Sequence, residues 1–373
     1  MRPAAVGAYL AAGIAMKAPA TKADLLGLLP DELALFLRGL GQPCYRAGQL
    51  FSWLHRGAAF DEMTDLPKPL RSRLAELASA GTLLCEAEET APDGAAKLAL
   101  RAADDHLVET VLIPHGRRTT VCVSSQIGCA YQCRFCATGR QGLVRSLTAG
   151  EIVEQVVRVQ HACHPTRVTN VVFMGMGEPL ANYHAVIKAV RLLNHPGGLC
   201  IGARHIAIST CGLPDGIRRL ASGGLQVALA ISLHAATDDV RSQLVPANRK
   251  HPIAEVVSAA RAYAQRTGRK IAFQYVVVPG LNDTPDQARR LAALTDGLPC
   301  IVNLIPRNPI SDSQPTDPRP AGRFARLLRA RGLPVAIRRS RGAEVLGACG
   351  QLRSSLIGQK DAGQAEARPA KAR

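Results

Sequence analysis

The chain has 373 residues, enough for one barrel-sized catalytic domain and a smaller accessory one. Its 47% hydrophobic content, aliphatic far more than aromatic, excludes a disordered or fibrous chain, and no stretch is long and apolar enough to cross a membrane. The net charge of +17 favours a polyanionic partner, nucleic acid before membrane; the 11 unevenly spaced cysteines suit metal or redox work in a reducing cytosol, not a disulfide framework.

Residues 1–21 read as a flexible extension. Ala4 to Met16 is mildly apolar, follows Arg2 and precedes Ala18-Pro19-Ala20, a pattern that a signal peptide shares. Its Ala- and Gly-rich content fits an extension, or a start at Met16, better. Residues 22–95 read as a small helical accessory domain whose Arg and Lys suit a nucleic-acid grip, with a mere packing domain equally open on this stretch alone. Leu25, Leu26, Leu28 and Leu29 recur at helical spacing, as do Leu33, Leu35, Phe36 and Leu37, with Asp31 expected to cap the second helix. Two further amphipathic helices are expected over Gln49–Leu54 and Pro69–Leu74. From Ala96 the pattern changes to period two, giving strands over Lys97–Leu100, Leu107–Ile113 and Thr119–Val123. Glu109 interrupts the second of these and Cys122 the third.

Cys129-Ala-Tyr-Gln-Cys133-Arg-Phe-Cys136 follows, a C-x3-C-x2-C loop with Gly128 before it and Gly139 after it. Thiolates are preferred ligands of iron–sulfur clusters and zinc, and three are one short of a closed site of either kind. A cluster with an iron open to a small molecule and a zinc site completed by a distant ligand both remain open on spacing alone. Cys85, Cys163, Cys200 and Cys300 lack such company and read as ordinary small side chains.

Beyond the loop, helices and strands alternate: Ala149–Gln160 and Asn170–Met174, Ala185–Leu193 and His205–Ser209, Gly216–Ala221 and Val227–Leu233, Ile253–Gln265 and Lys270–Val278, Pro285–Leu294 and Cys300–Pro306. With the strand before the loop this gives six βα units, an α/β fold forming a partial barrel over residues 96–357. Polar residues gather where these strands end: Gly175-Met-Gly-Glu-Pro179, Ser209-Thr210, Ser232-Leu-His234 and Asn308. Ligands bind at the carboxyl ends of barrel strands, so the cysteine loop opens onto the same face. Late in the chain, Arg319, Arg323, Arg326, Arg329, Arg331, Arg338, Arg339 and Arg341 share a stretch with no acidic residue, a candidate phosphate contact. Ala348-Cys349-Gly350-Gln351-Leu352 places a lone thiol between small residues, and 358–373 reads as a disordered tail.

Taken together, Cys122-Val-Ser-Ser-Gln-Ile-Gly-Cys129, the three-cysteine loop, Gly175-Met-Gly-Glu-Pro179, Ser232-Leu-His-Ala235, Asn303-Leu-Ile-Pro306 and Ala348-Cys-Gly-Gln-Leu352 resemble the RlmN/Cfr family of radical S-adenosylmethionine (SAM) RNA adenine methyltransferases, most of all its carbon-2 methylating branch. The match runs from about Leu33 to Leu352 and includes Arg46-Ala-Gly-Gln49 and Met63-Thr-Asp-Leu-Pro67. The resemblance implies a partial (β/α)6 radical-SAM barrel in which Cys129, Cys133 and Cys136 hold a [4Fe-4S] cluster. It implies SAM, two molecules per turnover, bound by Gly177, Glu178, Ser209, Ser232, Leu233, His234 and Asn308. It further implies that Cys349 carries the methyl group, Glu109 accepts a proton, and Cys122 forms a transient disulfide with Cys349 to release the product. The expected partners are 23S ribosomal RNA, transfer RNA and a reduced flavodoxin- or ferredoxin-type electron donor, in the cytoplasm. The carbon-8 methylating branch shares these thiols and stands as the alternative. A non-enzymatic RNA-binding metalloprotein is the alternative from another class. Three positions depart from the family pattern: Gln274 where an acidic residue is expected, Arg307 in the Ile-Pro-x-Asn turn, and Cys211 in place of a small residue.

Overall fold

The computed structural model describes residues 22–163, 166–308, 317–338, 341–342, 345–348 and 350–352. The expectations for residues 1–21 and 358–373 therefore lie outside the described residues.

Among the described residues strand β1 (Ala23–Asp24) comes first, followed by α1 (Pro30–Gly39), α2 (Arg46–Leu54) and α3 (Lys68–Leu77). The leucines from 25 to 29 do not form the helix their spacing suggested. Pro30 stands at the first helical position, where its missing N–H loses no bond, and starts α1 there. Leu29, not Asp31, is the N-cap, and its backbone N–H donates to the Glu32 carboxylate at 2.7 Å. Short β2 (Ala78–Ser79) pairs in parallel with β1.

Next come β3 (Leu84–Thr90), β4 (Ala96–Arg101), β5 (Leu107–His115) and β6 (Arg118–Cys122). The strand region thus begins at Leu84, within the span expected to be helical. Three acidic residues, Glu86, Glu88 and Glu89, keep β3 exposed, and charge suits it to the sheet edge. A small two-stranded unit, β7 (Gln126–Gly128) and β8 (Leu143–Ser146), brackets the cysteine loop and the short helix α4 (Ala137–Gln141).

The alternating half runs α5 (Ala149–Ala162), β9 (Asn170–Phe173), α6 (Tyr183–Asn194), β10 (Ile206–Thr210), α7 (Pro214–Ser222), β11 (Ala228–Ser232), α8 (Asp238–Leu244), α9 (Ile253–Thr267), β12 (Ile271–Val277), α10 (Pro285–Thr295), β13 (Cys300–Pro306), α11 (Arg319–Arg329) and β14 (Val335–Ile337). Thr148 and Glu151 form a capping box at the start of α5, with Thr148 N–H donating to Glu151 at 2.8 Å and Glu151 N–H to Thr148 Oγ1 at 3.1 Å.

One 10-stranded sheet carries the molecule, in the order β14-β13-β12-β11-β10-β9-β6-β5-β4-β3. From β6 to β14 every pairing is parallel, and from β6 to β3 every pairing is antiparallel. This is the expected partial barrel, lengthened by β14 on one side and by the β3–β5 extension on the other. The central strands, covered by helices, read as buried aliphatic runs such as Leu229, Ala230 and Ile231.

The accessory helices have no core of their own. Leu33, Leu37, Phe51 and Leu74 belong to one continuous apolar cluster with Val153, Val156, Leu229 and Phe273 of the barrel. Lys188 of α6 pairs with Glu32 of α1 at 2.8 Å. At the start of α5 the backbones nearly touch: a Cβ added to Gly27 would stand 3.0 Å from Gly150 N. Half-buried Asp24 lies in this joint, and its carboxyl is raised to about 6, first by burial and then by Glu154, with Glu151 adding to the effect.

A carboxyl raised on folding stabilises the fold below its unfolded value near 3.8 and ceases to do so as pH rises through about 6. Asp24→Asn, neutral throughout, should gain on the parent as pH climbs from 4.5 to 7, by about 2–4 °C in melting temperature after allowance for solvent screening. A melting-temperature difference that stays constant across that range would show that Asp24 is not held protonated in this joint.

Candidate functional site

The site begins where β6 leaves the sheet. The Ser124 backbone is gripped at both ends by the Gln155 amide of α5: its N–H donates to Oε1 at 2.8 Å and its carbonyl accepts from Nε2 at 3.0 Å. Its hydroxyl donates to the Glu109 carbonyl at 2.6 Å and accepts from Met176 N–H at 2.9 Å. One serine therefore joins β5, the approach to the cysteine loop and the Gly-Met-Gly-Glu turn. Gly175 has to be small here, since its Cβ would stand 2.7 Å from Ser124 Oγ and 2.8 Å from Val123 carbonyl carbon.

The cysteine loop is braced on three sides. Cys129 N–H donates to Gly142 O at 2.7 Å, and Arg134 N–H to Leu244 O of α8 at 3.0 Å. Cys136 N–H donates to Cys133 O at 3.0 Å, closing a turn that leads directly into α4. Cys129, Cys133 and Cys136 are all half-buried. Burial raises the Cys129 thiol to about 11, with contributions from Glu178 and Cys136, and it pushes the Cys133 thiol up further, with Cys136 and Cys129 adding to the rise. Burial and neighbouring sulfurs thus oppose ionisation of Cys129 and Cys133, which a cationic centre would reverse. Among the described residues no three His, Cys, Asp or Glu side chains form a ready-made metal cage. The donor set nonetheless suits an iron–sulfur cluster, being three thiols on one braced loop with no fourth thiol in the motif.

The polar strand ends converge as expected. Gly177 has φ 97°, and Glu178 behind it is buried. Glu178 N–H donates to Gln126 Oε1 at 2.8 Å. The Glu178 carboxylate accepts from Cys211 N–H at 2.7 Å and Leu180 N–H at 3.0 Å, tying the turn after β9 to the end of β10. Burial raises this carboxyl, and those two N–H donors oppose the rise. Ser209 lies on β10 beside Ala230, and Ser232 ends β11 beside Gln274. The N–H groups of buried Leu233 and His234 donate to Gln274 O at 3.1 and 3.3 Å. Asn308 is buried just past β13, whereas Arg307 is exposed.

His234 has φ 60° and its Nδ1 accepts from Val276 N–H at 2.9 Å, which places the ring proton on Nε2. That Nε2 is buried with no hydrogen-bond partner. Burial lowers the ring to about 3, so it stays neutral. Phe135 of the cysteine loop stands edge-on to it at 4.4 Å. An orphaned buried donor next to the cysteine loop suits a site that takes a polar ligand.

Glu109 and Cys122 occupy the adjoining strands. Glu109 is 1% exposed and pairs with Lys97 of β4 at 3.7 Å, and Lys97 in turn pairs with Glu89 of β3 at 3.1 Å. Cys122 is opposite Val111 and belongs to a small apolar cluster with Val111, Met176 and Leu352. Cys349 lies outside the described residues. Its neighbours are docked on the cysteine loop: Ala137 N–H donates to Gly350 O at 2.7 Å and Thr138 Oγ1 to Leu352 O at 2.6 Å.

Sequence reasoning did not find Lys97, Gln155 or Arg241, all buried here. A lysine in a strand and an arginine in Asp-Asp-Val-Arg look solvated, and only the strand pairings expose their role. The arginine stretch is also less uniform than it read. Arg319 pairs with Asp317 at 3.0 Å, and Arg341 Nη1 donates to Pro114 O at 3.0 Å. Arg339 lies outside the described residues.

Two family models match. The model for the radical SAM superfamily covers residues 123–292, and the model for the ribosomal RNA large subunit methyltransferase N-terminal domain covers residues 23–80. A protein of Heliobacterium modesticaldum described as a probable dual-specificity RNA methyltransferase RlmN is 45% identical over 352 residues, covering 91% of each chain. The dual-specificity RNA methyltransferase RlmN of Anaeromyxobacter dehalogenans is 45% identical over 340 residues, covering 88% of this chain and 91% of its own. The crystal structure of a radical SAM methyltransferase from Sphaerobacter thermophilus superposes with a TM-score of 0.85 at 47% identity, over 89% of this chain and 99% of that one.

Gly177 offers a test of the turn. An added Cβ would come within 2.5 Å of Gln126 Cβ and 2.8 Å of Gln126 N, on a backbone that side chains rarely adopt. Gly177→Ala should lose at least about 1–3 kcal/mol of stability, read as a lower urea midpoint. An unchanged midpoint would mean the turn has slack.

Proposed function

The chain belongs to the RlmN family of radical SAM RNA methyltransferases, and on that premise we propose that it methylates carbon-2 of an adenine in 23S ribosomal RNA at the peptidyl-transferase centre and in transfer-RNA anticodon loops. Carbon-2 of adenine is electron-poor and cannot attack the methyl of SAM, so a radical route is required. The base has to be reached, which favours an unstacked adenine in folded RNA.

Cys129, Cys133 and Cys136 would hold a [4Fe-4S] cluster, and SAM bound there would supply both a methyl group and, on one-electron reduction, the hydrogen-abstracting radical. Gly177, Glu178, Ser209, Ser232, Leu233, His234 and Asn308 would surround SAM. Cys349 would carry the methyl carbon on its sulfur and deliver it to the base. The buried Glu109, with Lys97 at 3.7 Å to balance its charge, would accept the proton leaving carbon-2. Once the adduct has lost that proton and returned its unpaired electron to the redox centre, Cys122 as a thiolate would attack the sulfur of Cys349. The carbon–sulfur bond would break with its electron pair on carbon, which takes up a proton to become the methyl. This leaves methylated RNA and a disulfide that must be reduced before the next cycle. The electron source would be a reduced flavodoxin or ferredoxin.

The observation that supports this reading most is how the residues that follow Cys349 in the chain are packed. Gly350 and Leu352 hold Ala137 and Thr138, directly after Cys136, while Leu352 shares its apolar cluster with Cys122. A grip on RNA is supported by the accessory domain, where exposed Tyr45 lies under the Arg46 guanidinium and Trp53 under that of Arg56.

Two measurements test the proposal. Mass spectrometry of RNA treated anaerobically with the reconstituted protein should show 2-methyladenosine; 8-methyladenosine would overturn the assignment to carbon-2. Cys122→Ala should accumulate a covalent protein–RNA adduct on denaturing gels. Normal turnover by that variant would sink the two-thiol mechanism.

A further inference from the structure

Arg241 is the largest fully buried side chain among the described residues. Its five hydrogen bonds go to neutral oxygens. Nε donates to Leu233 O at 3.0 Å, Nη2 to Ser232 O at 3.2 Å and Cys211 O at 2.5 Å, and Nη1 to Asn248 Oδ1 at 2.8 Å and His251 O at 3.3 Å. The first three acceptors are the carboxyl ends of β10 and β11, where the SAM-contacting residues gather. A rigid planar fork can reach both strand ends and the α8–α9 connection at once, which a single ammonium cannot.

The next residue, His234, is the strained one. Its left-handed backbone persists only if its surroundings fix it from several sides. Asn282 Nδ2 donates to its carbonyl at 2.8 Å, Val276 N–H donates to its ring, and Arg241 holds the two carbonyls immediately before it. The result is the orphaned Nε2–H beside Phe135.

We propose that Arg241 is a positioning residue: by clamping the carbonyls of Cys211, Ser232 and Leu233 it holds the His234 turn so that Nε2–H is presented to bound SAM. This rests on the reading of these strand ends as the SAM site. Arg241 acts through His234, so removing either should have one shared consequence.

The test is a double-mutant cycle on the anaerobically reconstituted full chain, read as the equilibrium dissociation constant for SAM. Arg241→Lys and His234→Ala should each weaken SAM by about tenfold, the order expected for one lost hydrogen bond, with the iron–sulfur absorption and RNA affinity unchanged. The double variant should bind SAM no more weakly than His234→Ala alone, within about twofold. Additive losses, or wild-type affinity in Arg241→Lys, would overturn the proposal. So would equal loss of SAM and RNA affinity, which marks a merely structural role. Should Arg241→Lys not fold, Asn248→Ser removes one acceptor while leaving the guanidinium in place, and it enters the same cycle with the same non-additivity expected. If the wild-type chain bound no SAM, the reading of the site would fail instead.

Discussion

The structure depends on how Ser124 is held. At this residue the chain leaves a sheet strand and becomes the approach to the cysteine loop, a point where backbone groups lose their ladder partners in the interior. Gln155 replaces both partners with one side-chain amide, and the Ser124 hydroxyl then serves Glu109 O and Met176 N–H. Unsatisfied backbone groups at this depth would each cost about 1–3 kcal/mol. The same bonds fix three parts of the site relative to one another: the strand of Glu109, the loop of thiols and the glycine turn.

The site also concentrates buried charge, and each charge is handled differently. Glu109 is opposed by a cation, Lys97, which is itself shared with the exposed Glu89. Glu178 is met by backbone N–H groups instead. Arg241 is met by carbonyl and amide oxygens. Breaking any such set leaves an uncompensated group in low dielectric, which is more damaging than replacing the whole set. That cost keeps the arrangement fixed in geometry, and fixed geometry is what a radical reaction requires if the reactive carbon is to meet one atom of one base.

Much of this was legible in the sequence. The six parallel strands, the cysteine loop and the convergence of Gly177, Glu178, Ser209, Ser232 and His234 follow from period, spacing and the rule that ligands bind at strand ends. What escaped was set by pairing between distant segments. β3 was hidden because an edge strand with Glu86, Glu88 and Glu89 lacks the apolar alternation that marks a strand. The leucines from 25 to 29 imitate a helix, but they are buried by tertiary packing around Pro30, which local period does not report. Lys97 and Arg241 look like surface cations until their strand partners are known.

Helix α5 shows why the accessory domain cannot be treated as a detachable grip. Its first turn meets Gly27 and Asp24 of that domain, where no side chain fits between the backbones. One turn on, Glu154 accepts from Thr82 N–H at 2.6 Å and Leu83 N–H at 3.0 Å, fixing the segment that leads into β3. Beside it, Gln155 grips Ser124. A single rigid helix thus bears on the accessory domain and on the residue from which the chain enters the cysteine loop. Any displacement of the accessory domain is transmitted to Ser124 because packed helices move as bodies and do not stretch. The continuous core shared by both parts makes that coupling the default state of the molecule. The accessory domain and the barrel are therefore built as one unit, and the distance between them is set by the fold before any substrate binds.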